Sequence, residues 1–200
     1  MRLPPTVLAA MLALPVGAQV GEATQGALGG VFPTGPSDSR LEAGWSFGFG
    51  GIYWLSERVG IHSELGIHRF GISDRLRSDI GPATDGLATV LGIPVNGFLR
   101  LHDPGESGFY LLGGAGIYNR RLELEEPATI PVIRGDAWAG VQPGTLPASN
   151  LSTTRGGFDI GLGWEMPQGT GHFFVEVRYH RIFTRGLPTE FVPVVVGTRF

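Results

Sequence analysis

Cysteine is absent from this 200-residue chain, and so is lysine, which leaves arginine as the source of all 15 basic residues. Without a thiol there is no disulfide framework, no thiolate metal site and no cysteine nucleophile, a composition that fits passage through an oxidising compartment. The missing lysine reads as a bias of genome composition rather than of function. Charge is scarce and nearly balanced, at 16% charged residues and a formal net charge of −3. Such a chain offers no basic footprint for nucleic acid. No apolar run reaches the ~20 residues that a membrane-spanning helix needs, so a membrane-embedded form of this chain crosses as strands. What is plentiful is glycine, at 33 residues, with 15 prolines. The length suits one domain with a full core and leaves little room for a second.

The N-terminus has the pattern of a secretory signal. Arg2 and the terminal amine form a thin positive region, Val7 to Leu14 a short apolar run, and Val16-Gly17-Ala18 a small-residue cleavage site. The expected processing removes residues 1–18 and leaves one domain over 19–200.

Beyond that point the hydrophobic period is two. Counting back from the terminal Phe200, Thr198, Val196, Val194 and Val192 share one face, while Arg199, Gly197, Val195, Pro193 and Phe191 share the other. From His172 to Phe183, Phe173, Val175, Val177 and Tyr179 oppose Glu176, Arg178 and His180. Phe158, Ile160, Leu162 and Trp164 oppose Asp159, Gly161, Gly163 and Glu165. Similar alternation runs through Leu41 to Leu55, Val59 to Phe70 and Leu87 to Leu101, and less sharply through Ala27 to Gly35 and Phe109 to Leu124. That makes eight candidate strands, each of about nine residues or more, long enough to cross a bilayer when tilted. The links alternate in length. Tight ones lie at Arg58, His102 to Ser107 and Pro167 to Gly171, and longer ones at Gly71 to Gly86 and Glu125 to Thr154. The expected fold is an all-β, eight-stranded antiparallel up-and-down barrel with both ends on one side of a membrane.

A soluble β-protein shows the same period, so the polar face decides the compartment. Here that face is rich in glycine and carries single, scattered charges. A solvated face carries more charge, whereas a narrow barrel interior needs small residues and a few ions that pair with one another. Aromatic residues near strand ends, Trp45, Tyr53, Trp164, Tyr179 and Phe200, suit the interfacial girdles of a membrane barrel.

The terminal VPVVVGTRF resembles the C-terminal strand by which outer-membrane proteins of Gram-negative bacteria are recognised by their assembly machinery, with Val194, Val196 and Phe200 in the recognised positions. Thr198 stands where an apolar or aromatic residue is usual. HFFVEVRYHRIF, YLLGGAGIY and VFPTG are similar to segments of the outer-membrane β-barrel domain family, which includes the small OmpA/OmpX-type barrels. The resemblance spans almost all of residues 19–200. It implies an outer-membrane location, contact with membrane lipid and lipopolysaccharide, an encounter with the assembly machinery, a monomer and no cofactor. It implies no particular activity.

The inward set Glu42, His62, Glu64, His68, Arg100, Asp159, Glu176, Arg178 and His180 is the place to look for chemistry. In so narrow a barrel these residues are expected to form a paired interior network rather than a catalytic or metal site. Glu176 and Arg178 are expected to take cross-strand partners in preference to each other. A lipid hydrolase needs a serine and histidine together on the lipid face. His62 and Ser63 point to opposite sides, and Ser46 faces inward with no histidine beside it in sequence.

Arg40, Arg69, Arg120, Arg121, Arg155, Arg181 and Arg185 fall toward the external rim, and Arg69 and Arg181 carry the lipid-facing parity. Either they bind lipopolysaccharide phosphates or they are ordinary interfacial arginines. The long link holds Ile130 to Ile133, Arg134-Gly135-Asp136 and Trp138, and Asn150-Leu151-Ser152 matches a glycosylation pattern of low specificity. Three functions follow, in order: a non-enzymatic barrel acting structurally or through its external loops, passage of small hydrophobic molecules, and a lipid-modifying hydrolase.

Overall fold

In a computed structural model the chain is described over residues 21–80, 86–128, 148–184 and 187–200. The expected signal segment 1–18, the residues from Ile130 to Trp138, and Arg185 lie outside the described residues. Eight antiparallel strands close into one barrel in sequence order. They are β1 (Glu22–Thr34), β2 (Gly44–Trp54), β3 (Val59–Gly71), β4 (Gly86–Arg100), β5 (Gly108–Ala128), β6 (Ala148–Gln168), β7 (Gly171–Ile182) and β8 (Thr189–Arg199). The seam is sealed by β1 and β8, paired from Gln25 opposite Arg199 to Thr34 opposite Glu190.

The faces are inverted relative to a water-soluble barrel. On neighbouring residues of β6, Ile160 is 61% exposed and Asp159 only 2%. Leu28, Phe49, Leu65, Val95, Leu111, Leu162, Val177 and Val196 are all exposed, one from each strand, while Glu64, Glu165, Glu176, Arg178 and Arg199 are buried. An outward apolar band around an inward polar core is the layout demanded by a hydrocarbon surround, where the closed ladder satisfies the backbone of the wall.

Strand limits differ from the alternation pattern in informative ways. β1 begins at Glu22 rather than Ala27, and β2 begins only at Gly44, so Leu41 meets the wall through an isolated bridge to Ile72. β5 and β6 run 21 residues each, which shortens the long link to 129–147 and places Asn150 to Ser152 on β6. Once a hairpin is in register its backbone pairing continues without an apolar face to drive it, and the polar residues of this extension hid the strands. The link after β3 carries a short helix, α1 (Asp74–Ile80). Ser73 caps it through its Oγ, which accepts from the Leu76 amide at 3.2 Å, and Asp74 sits in its first turn.

The turns on the opposite side are tight. In Asp103-Pro-Gly-Glu106 the Glu106 amide donates to the Asp103 carbonyl at 3.1 Å, and Gly105 has φ of 84°, the third position of a type II turn. Gly169, at φ 60°, opens the two-residue link of the β6–β7 hairpin.

Val177 lies mid-strand on the outer face of β7 and is 44% exposed. Val177→Arg should lower unfolding stability in lipid by ~2–4 kcal/mol, measured by urea titration in vesicles; a change within error would count against the outward placement of this face.

Candidate functional site

The interior is stacked in layers. At the end where the tight turns lie, Arg199 of β8 donates through Nε and Nη2 to Gln25 Oε1 of β1 at 3.1 and 3.0 Å, and through Nη1 to Glu165 of β6. Glu165 also accepts from Arg100 Nε at 2.6 Å, and His102 Nε2 approaches it at 3.3 Å. The Arg199 guanidinium lies among the rings of Phe98, Phe174 and Tyr110, at 4.9, 5.0 and 5.2 Å from their centroids, and Arg100 lies 4.3 Å over Trp54. Cations held against ring faces in a desolvated site gain from the ring quadrupoles as well as from their carboxylate partner.

Gln25 carries the network upward, its Nε2 donating to His62 Nε2 at 2.8 Å and reaching Glu64 Oε2 at 3.4 Å. In the middle of the barrel Arg178 of β7 forks onto Glu64 of β3, both bonds 3.0 Å, and its Nε donates to Glu176. Glu176 accepts from the Tyr110 hydroxyl at 2.8 Å. One cation thus serves two carboxylates, and contrary to expectation Glu176 and Arg178 are partners of each other as well as of groups across the barrel. Asp159 accepts from Asn96 Nδ2 at 3.0 Å and from the Tyr118 hydroxyl at 3.5 Å, and Tyr118 also contacts His180 Nδ1 at 3.2 Å.

Glycine makes room for this layer. A Cβ on Gly48 would lie 2.8 Å from the Glu64 carboxyl, one on Gly161 2.7 Å from Arg178 Cγ, and one on Gly92 2.6 Å from the Tyr118 ring. The glycine-rich polar face of the strands is therefore the negative imprint of the large inward side chains. A void of about 10 Å³, lined in part by Ser46, Glu64, His68, Arg178 and His180, remains beside them, room for about one water.

Above the polar layer the barrel is apolar again. Val31, Phe70, Val90, Tyr118, Leu122, Ile182 and Phe191 form a cluster, joined by Leu41, Ile72 and Leu76 from the links at that end. Leu76 is α1's contribution, and Ser73 ties its base to the first link through the Ser39 and Arg40 carbonyls. This end of the barrel is plugged.

The structure brings together His62, Glu64, His68, Arg100, Asp159, Glu176, Arg178 and His180 inside the barrel, all buried. Glu42 does not join them. It is exposed and lies before β2 begins, so the alternation that assigned it inward does not reach it. Ser46 does have a histidine beside it, His68 Nδ1 at 2.9 Å, supplied by the β2–β3 register rather than by sequence proximity. The pair is buried and faces away from lipid. Of the arginines expected at the external rim, Arg120 is fully buried inside, whereas Arg181 is 45% exposed and 3.4 Å from Glu190. Arg69 is half-buried, with its Nε lacking a hydrogen-bond partner among the described residues. Gln25, Tyr110, Tyr118, Glu165 and Arg199 were missed, although Glu165 shares the parity of Asp159 and Arg199 adjoins the outward Phe200. No group of three or more metal-ligating side chains occurs among the described residues.

Arg178→Met removes the cation between two buried carboxylates and should destabilise the barrel by about 3–5 kcal/mol. Glu64→Gln, which leaves Arg178 with Glu176, should cost less. Urea unfolding in micelles measures both, and equal losses would mean that Arg178 does not bridge the two acids.

No family model matches the sequence and no curated protein matches it. Among solved structures the chain is similar to Neisserial surface protein A (11% identity over 89% of this chain and 95% of that one, TM-score 0.56). It is also similar to Ail, the attachment invasion locus protein of Yersinia pestis, solved with the heparin analogue sucrose octasulfate (12% identity, 90% and 99% coverage, TM-score 0.50). A third is the outer membrane protein OprG of Pseudomonas aeruginosa (12% identity, 90% and 95% coverage, TM-score 0.50). With its apolar face outward and its ions folded inside, the chain has the fold of the small eight-stranded outer-membrane barrels.

Proposed function

We propose that this chain is a monomeric, non-enzymatic barrel of a Gram-negative outer membrane that acts through its outer surface and not through its lumen. The observation that carries the reading is the filled interior, plugged by Leu41, Ile72 and Leu76 at one end and crossed by the Glu64–Arg178–Glu176 bridge in the middle. Passage of small hydrophobic molecules needs an apolar route, and a buried ionic layer lies across it. A lipid hydrolase needs its nucleophile at the lipid surface, and the Ser46–His68 pair is inside. Among the described residues, the far end of β5 and β6 is surface available to partners. These strands extend past the last β6–β7 pair, Gly157 with Ile182, and carry exposed Arg121, Ser152, Thr154 and Arg155.

Ail is described as an attachment protein and was solved with a sulfated sugar analogue; a surface-binding role for the β5–β6 hairpin of this chain is the corresponding proposal. Assembly would proceed from β8, where Val194, Val196 and Phe200 all face outward and are exposed, open to an assembly machinery that reads one face of the last strand. Export would use residues 1–18. Membrane lipid and lipopolysaccharide are then the constant partners of the outer face, with Arg69 as a lipid-facing arginine and Arg181, on the same face, held by Glu190.

Refolding into detergent and comparing gel mobility before and after boiling tests the membrane reading. The folded barrel should run differently from the boiled chain. Unchanged mobility, with solubility in plain buffer, would remove the proposal.

A further inference from the structure

The register of four successive ladders lines up residues that are far apart in sequence. Trp45 of β2 pairs with Arg69 of β3, Arg69 with Thr89 of β4, Thr89 with Arg121 of β5, and Arg121 with Ser152 of β6. All share the outward parity. Paired strands lie about 4.8 Å apart, so the Arg69 and Arg121 backbones flank Thr89 at roughly 5 Å on either side, and both side chains can reach the same point over its hydroxyl.

The two arginines have uncommitted donors. Arg69 is half-buried against the wall, and its Nε is buried without a hydrogen-bond partner among the described residues, so the terminal nitrogens are its donors toward a ligand. Arg121 is 57% exposed and touches Glu123 through one nitrogen at 3.3 Å, a surface pair of the weak kind that leaves most of the fork free. Arg181 differs, because Glu190, whose side chain is only 12% exposed, holds it from the neighbouring strand. Two residues further along the strands the next outward row reads Phe47, Ile67 and Leu91, again directly paired. Hydroxyl and guanidinium donors thus sit immediately beside an apolar strip on the same face.

We propose that Arg69, Thr89 and Arg121 form a seat for the phosphate of an acylated, phosphorylated glycolipid of the outer leaflet. The two forks engage the phosphate oxygens, Thr89 donates a third hydrogen bond, and an acyl chain lies along Phe47, Ile67 and Leu91. Planar guanidinium groups match phosphate geometry and form charge-assisted bonds stronger than neutral ones. The proposal rests on the outer-membrane reading and narrows its lipid contacts to one site. It drops Arg181, which its own carboxylate satisfies, and adds Arg121. Glu123 is then a competitor, since it occupies Arg121 and repels the incoming charge.

The test is titration of the refolded full chain in non-ionic micelles with bisphosphorylated lipid A and with the same lipid after dephosphorylation, read by native mass spectrometry. Heat-dependent gel mobility establishes beforehand that each variant is folded. Arg69→Gln and Arg121→Gln should each weaken binding of the phosphorylated lipid about tenfold, and Thr89→Val about threefold. Glu123→Gln should tighten it, and Arg181→Gln should leave it unchanged. Dephosphorylated lipid should bind wild type as weakly as the Arg69→Gln/Arg121→Gln double variant does, and inorganic phosphate should not displace the lipid. Equal binding of the two lipids by wild type, full affinity in the folded double variant, a loss in Arg181→Gln matching that of Arg69→Gln, or displacement by inorganic phosphate would each overturn the seat. A wild-type chain that shows no heat-dependent mobility would instead sink the membrane reading beneath it.

Discussion

Closure of the sheet through β1 and β8 is the constraint on which the rest of this molecule depends. With eight strands in a ring the lumen is only wide enough to be filled by its own side chains, so every inward residue must fit and every inward charge must find a partner. Closure also removes both sheet edges from the wall, which lets the outward face be apolar without exposing an unpaired strand. The glycines opposite Glu64, Arg178 and Tyr118 belong to the same constraint, since a lumen of fixed width takes a large side chain only where its neighbours are small.

The layered interior shows how a narrow lumen carries so many ions. Polar groups are linked from Glu165 and Arg199 through Gln25 to Glu64, Arg178 and Glu176, with aromatic rings enclosing the cations below and an apolar plug above. Buried charges in such surroundings are tolerated because each is paired and hydrogen-bonded, and the loss of one partner strands the others. The same arrangement leaves little free volume inside the wall, with a void of about 10 Å³ beside the ions.

Architecture was legible in the sequence because parity is a local property. Counting by twos from Phe200 sorted lipid-facing Val194 and Val196 from inward residues, and the same count put Glu64, Asp159, Glu176, Arg178 and His180 inside. Register is not local. The meeting of Ser46 with His68 follows from β2–β3 pairing, which the alternation within either strand does not reveal. Glu42 was assigned inward by extending a strand two residues beyond its start. Inward aromatics were hidden for another reason. Where apolar means outward, Phe98, Phe174, Phe191, Tyr110 and Tyr118 look misplaced, yet the two ends of the lumen are packed with them.

Two further inward positions are prolines, Pro94 and Pro193, and both lie opposite the members of the ion pair that crosses the lumen. The β3–β4 ladder is paired at Ser63 with Val95 and resumes at Gly66 with Gly92, and the β7–β8 ladder is paired at Val177 with Val194 and resumes at His180 with Phe191. Continuing each register sets Glu64 opposite Pro94 and Arg178 opposite Pro193. Proline has no amide to donate, so each ladder is interrupted at its proline, while β4 and β8 remain paired on their other sides, Pro94 with Gly116 and Pro193 with Val31. Beside the first of these gaps the Ser63 hydroxyl donates to the Pro94 carbonyl at 3.1 Å, a side-chain hydrogen bond between β3 and β4 in a wall that has no water to offer. β3 and β7 are four strands apart in a ring of eight, and the forked Glu64–Arg178 pair spans the lumen between them. The bridge therefore joins the two places where the wall lacks part of its ladder, and the ion pair that fills the lumen also braces the sheet that encloses it.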